Sequence, residues 1–158
     1  MEPKLLGIYL NDHRAGSVIG VELSKRAAAS NEGTELGEFL TELSRDIEAD
    51  CDSLKAIMDH LGVTENRVKM PLAWMAERLG RFKPNGQLTG YSPLSRLFEL
   101  EGLMLGVTGK LALWRSLAAT RSDLAAFGLE RLIERAESQR TSLEAHRVKA
   151  ARTAFTAT

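Results

Sequence analysis

Leu36, Leu40, Leu43, Ile47, Leu54, Ile57 and Leu61 recur in steps of three, four and seven, with Asp50 standing where an apolar side chain is due. Such spacing lays one apolar stripe along an α-helix, because residues three and four apart share a face. The same period runs through most of the chain. No stretch shows the apolar–polar alternation and β-branched enrichment of a half-buried strand. The pattern predicts an all-α fold.

Breakers divide the periodic stretches. Helix 1 is predicted from about Lys4 to Ala29, stopping at Ser30-Asn31-Glu32-Gly33. Thr34 is a candidate N-cap for helix 2, with Glu35 and Glu38 at its positive end, His60 in its last turn and Gly62 as its stop. A shorter helix is expected from Glu65 to about Leu79, capped by Thr64 and kinked or delayed by Pro71. An irregular link containing Pro84-Asn85-Gly86 follows. Ser92-Pro93 opens helix 3, serine as cap and proline at the first helical position, and the helix runs to about Ala118. Ser122-Asp123 starts helix 4, which reaches about Phe155.

Long helices of roughly 26 to 33 residues, each about 40 to 50 Å in length, bury their stripes best side by side. The expectation is one domain over residues 1–158, an antiparallel four-helix bundle with an extra short helix between long helices 2 and 3. The connection between those two is long enough for either an up-down-up-down or a crossover topology. Helix 3 is apolar almost all round, which predicts burial on every side. Its Gly102, Gly106 and Gly109, with Gly16 and Gly20 of helix 1, predict close helix approach, since glycine costs about 1 kcal/mol against alanine inside a helix.

Composition narrows the function classes. With 21 basic and 21 acidic residues the net charge is zero, which argues against a general nucleic-acid or anionic-membrane binder. Cys51 is the single cysteine, so no internal disulfide forms. The N-terminus lacks a signal-peptide pattern, and no apolar run approaches the roughly 20 residues of a membrane span. A cytoplasmic location is expected.

His13, Asp50, Glu101 and Gln139, beside Glu137, interrupt apolar stripes on four helices. Under alternating topology they fall at one height, roughly 11 to 14 Å along the axis; under crossover topology Glu101 moves to about 23 Å. A polar layer inside an apolar core must be paired or liganded. One imidazole and several carboxylates suit iron, manganese or zinc, making His13, Asp50, Glu101 and Glu137 candidate ligands. The Glu-x-x-His motif of dinuclear bundles is missing. The alternative is a hydrogen-bonded layer that fixes helix register without a cofactor, Asp50 and Glu101 being balanced by His13, Lys110 or Arg115.

Other features carry less. Asp12 and His13 are sequence neighbours and do not face each other on a helix. Cys51 beside Asp50 reads as an inert core thiol. Arg67, Lys69, Arg78, Arg81 and Lys83, with Trp74 and Phe82, form a basic stretch that reads as a solvated face or a grip for an acidic partner.

The segments Tyr9-Leu-Asn-Asp-His13, Arg81-Phe-Lys-Pro-Asn-Gly86 and Tyr91-Ser-Pro-Leu-Ser-Arg96 resemble those of helical proteins of high-GC Gram-positive bacteria that have no known activity. The resemblance implies a ferritin-like outline and assigns no site residue. The leading expectation is a non-enzymatic protein, a homo-oligomer or the binder of a protein partner, with a polar layer setting register. A metal-binding bundle is the first alternative. A binder of lipid or a small ligand, using a gap beside the helix 3 glycines, is the second.

Overall fold

The computed structural model describes residues 3–66 and 91–156, and among these every regular element is helical. Helix α1 spans Pro3–Ser30 and α2 spans Glu35–His60. Between them Gly33 takes φ +76°, a left-handed conformation that suits glycine. The Thr34 hydroxyl accepts the Gly37 N–H at 3.1 Å and donates to the Asn31 carbonyl at 2.7 Å, capping α2 as its sequence predicts. At the other end Gly62, at φ +64°, lets the chain leave the helix.

Helix α3 spans Pro93–Thr120, its first turn closed by the Ser92 hydroxyl, which accepts the Ser95 N–H at 3.0 Å. The single helix expected from Ser122 is instead two elements. A 3-10 turn covers Ser122–Phe127, and α4 covers Leu129–Thr156. Gly128 separates them at φ +68°, a conformation that interrupts any α-helix. Leu124 of the turn is completely buried and closes the end of the core. Glu65 and Asn66 are not helical, and the rest of the predicted short helix, like the basic stretch from Arg67 to Lys83, lies outside the described residues.

Contacts along the helices fix their relative directions. Gly7 lies near Val63 and Gly20 near Ile47, so α1 and α2 are antiparallel. Arg26 meets Glu99, Leu23 meets Gly102 and Tyr9 meets Ser116, so α1 is antiparallel to α3 as well. Glu35 lies by Lys149 and Asp50 by Arg135, making α2 and α4 antiparallel. Arg115 pairs with Glu137, and Arg147 with Glu101, so α3 and α4 are antiparallel. Helices α2 and α3 therefore point the same way.

The apolar core has two parts. One, around Leu10, Ile57, Trp114, Leu117 and Leu132, fills the end where α2 and α3 finish. The other, around Leu40, Leu43, Leu100, Leu103 and Leu143, fills the end where they begin. Polar side chains occupy the level between them.

Candidate functional site

Asp50, 3% exposed, is the centre of that middle level. One carboxylate oxygen accepts from Lys110 Nζ of α3 at 2.5 Å, and the other accepts from the Arg135 guanidinium of α4. Lys110 also donates to Gln139 Oε1 at 2.6 Å, and Gln139 Nε2 donates to Asp46 Oδ2 at 3.0 Å. Three helices are thus tied through side chains that interrupt their apolar stripes. Burial lowers the Lys110 pKa, while the adjacent Asp50 carboxylate works in the opposite direction.

Of the residues expected in one layer, Asp50 and Gln139 come together. His13 joins Asp50 on the wall of a neighbouring cavity. Glu101 does not: its side chain is 43% exposed and stands 3.8 Å from Arg147. The parallel run of α2 and α3 explains this, because it brings Lys110 to the height of Asp50. Glu101 then falls about 13 Å away along the axis. Glu137 lies on the surface, paired with Arg115. The four candidate metal ligands do not converge, and among the described residues no group of three or more His, Cys, Asp or Glu is placed to hold a metal.

Beside the charged level, α1, α2 and α3 enclose a cavity of about 480 Å³. Gly16 and Gly20 line it from α1, and Gly102, Gly106 and Gly109 from α3. The glycines do not all permit close packing. A Cβ at Gly102 would meet Leu23 Cδ2 at 3.1 Å, and one at Gly20 would meet Ile47 Cγ2 at 3.7 Å, whereas at Gly16, Gly106 and Gly109 it would meet nothing within 4 Å. The two helices are pinned at Leu23–Gly102 and at Tyr9–Ser116, and the missing side chains leave a hollow between those points. Helix α3 is accordingly not buried on every side, and Leu105 on the cavity wall is 75% exposed.

The polar groups on the wall differ in what they have free. Asp50 already accepts from two cations. Ser17 donates to the Arg14 carbonyl at 2.7 Å. Burial raises the Cys51 pKa, so the thiol is held protonated and poorly nucleophilic. His13 packs edge-on against the Tyr9 ring, 4.6 Å between centroids, and burial lowers its pKa, leaving a neutral imidazole at pH 7. Lys110 uses two of its three protons.

A second polar cluster went unrecognised in the sequence. Glu99, 8% exposed, accepts from Arg26 Nε at 3.1 Å and from the Tyr91 hydroxyl at 2.8 Å. Buried Asn31 donates to the same hydroxyl at 2.9 Å and accepts from Arg96 Nε at 2.9 Å. Glu99 looks like an ordinary surface acid in the sequence, because helix α3 is apolar on several sides and no face is marked as interior. This cluster ties the α1–α2 turn to the start of α3 and is internally paired.

No protein-family model, curated protein or solved structure matches this chain. Among the described residues, no helix is long and apolar enough to cross a membrane.

Proposed function

We propose that this protein is a non-enzymatic binder that holds a small apolar molecule in the hollow between α1 and α3. The helices are read as a four-helix bundle, with the Asp50–Lys110–Arg135–Gln139 layer setting their register and its Asp50 and Lys110 standing on the wall of the site. The observation that carries this reading is the glycine-lined cavity. Its volume of about 480 Å³ lies within the range of small-molecule sites, roughly 300 to 1,000 Å³. Three glycines whose missing side chains would enter open space are costly in helix interiors, and a site that must stay empty gives them a purpose.

Nile red, an apolar fluorescent dye, tests the reading. Wild-type protein is expected to bind it with blue-shifted emission, and Gly106→Leu and Gly109→Leu, which fill the hollow, to weaken binding about tenfold. Absence of dye binding by wild-type protein, or equal binding by both variants, would remove the proposal.

A second reading rests on the exposed apolar side chains Leu5, Ile8, Val18 and Leu105 on α1 and α3. They favour self-association, since a second copy of the chain would remove these apolar side chains from water. Sedimentation velocity across micromolar concentrations is expected to show a dimer; a strict monomer would refute it.

A further inference from the structure

The cavity has a chemical polarity, and it restricts the ligand class beyond "apolar". Apart from glycine backbone, its wall is built mainly of aliphatic and aromatic side chains such as Leu23, Leu54 and Leu103. Asp50 is closed off: it is 3% exposed and each oxygen is taken by a cation. Lys110 has a side chain 13% exposed and retains one N–H beyond those given to Asp50 and Gln139. The His13 imidazole has no hydrogen-bond partner among the described residues, and its neutral form carries one N–H. The α1–α3 contacts at Tyr9–Ser116 and Leu23–Gly102 bracket both residues and place them within about 3 Å of each other in height. The spare capacity at this level is therefore two N–H donors from two helices and one imidazole acceptor nitrogen, beside an acid that is buried and already paired with two cations.

We infer that the ligand is an apolar chain ending in a hydrogen-bond acceptor oxygen, a carboxylate or a carbonyl, held by Lys110 and His13. This rests on the binding reading above. The acceptor end takes the free N–H groups, and the chain lies along the glycine-lined gap toward exposed Leu105. A cationic head is disfavoured beside the Lys110 ammonium, since the buried Asp50 carboxylate is already paired with two cations and the Asp12 carboxylate, also on the wall, is exposed to solvent that screens it.

Displacement of Nile red by matched ten-carbon probes tests the assignment at pH 7.5: decanoate, 2-decanone and decyltrimethylammonium. Decanoate and 2-decanone are expected to displace the dye at concentrations about fivefold lower than the cationic probe, the order of one hydrogen bond. His13→Leu and Lys110→Met are each expected to reduce that preference to less than about twofold. His13→Leu keeps the test valid if Lys110→Met does not fold, since no hydrogen bond in the described structure depends on that imidazole. Decanoate well ahead of 2-decanone identifies a carboxylate ligand, and equal displacement identifies a carbonyl as sufficient. Dye binding with no preference over decyltrimethylammonium, or a preference unchanged in His13→Leu, overturns the inference and leaves the cavity reading standing. Failure of wild-type protein to bind the dye defeats both.

Discussion

Tyr91 illustrates how one side chain joins distant parts of the sequence. Its hydroxyl donates to Glu99 and accepts from Asn31, so it links the α1–α2 turn with the first turns of α3. Burial is the main cause that pushes its pKa from 10.0 up to about 12; the Glu99 carboxylate adds to the rise and Asn31 opposes it. The folded state therefore favours the protonated phenol. That stabilisation is complete below pH 10, the unfolded value, and is lost as pH rises toward about 12. Urea titrations are expected to show wild type losing its advantage over Tyr91→Phe across that interval, with a constant difference between pH 7 and 9. A difference that stays flat to pH 12 would contradict this.

Among the helices, glycines that look alike in the sequence have opposite surroundings. Gly106 lies inside α3 with nothing near its missing Cβ, so Gly106→Ala is expected to stabilise the protein by about 0.5 to 1 kcal/mol. Gly37 lies in the first turn of α2, where a Cβ would stand 2.1 Å from the Asn31 carbonyl oxygen. Because that neighbour is backbone in a capped turn, Gly37→Ala is expected to cost about 2 to 3 kcal/mol. Thermal unfolding of both variants checks the contrast. The helix ends were legible in the sequence: Thr34, Gly62 and Ser92-Pro93 act through bonds or torsions within one turn. Gly128 carries the same kind of signal, but the cap-like Ser122-Asp123 pair masks it by predicting the start of α4 too early.

Across the whole molecule, the charged middle level separates two apolar halves and joins α2, α3 and α4 at Asp50. Asp50→Ala would leave Lys110 and Arg135 facing each other in a largely dry interior. The expected loss is about 3 to 5 kcal/mol, measured by urea unfolding. A loss below about 1 kcal/mol would show that the level relaxes to solvent and does not hold register. The candidate site was partly visible at this level too. Asp50 and Gln139 are conspicuous because they interrupt apolar stripes, and Lys110 was among the possible partners of Asp50. Arg135 stands one turn before Gln139 on the same face of α4 and could have been found from that spacing.

Local rules decided the helices, their caps and the presence of acids and amides on inward faces, because hydrogen bonds within a turn and apolar periodicity depend only on nearby residues. They could not decide which polar groups meet. That depends on the relative direction of helices separated by a long connection, and α2 and α3 running the same way replaced Glu101 with Lys110 opposite Asp50. The hollow is likewise a property of packing. A glycine has the same composition whether a neighbouring helix presses against it or stands away, and only the pinning of α1 to α3 on either side of Gly16, Gly106 and Gly109 left open space there.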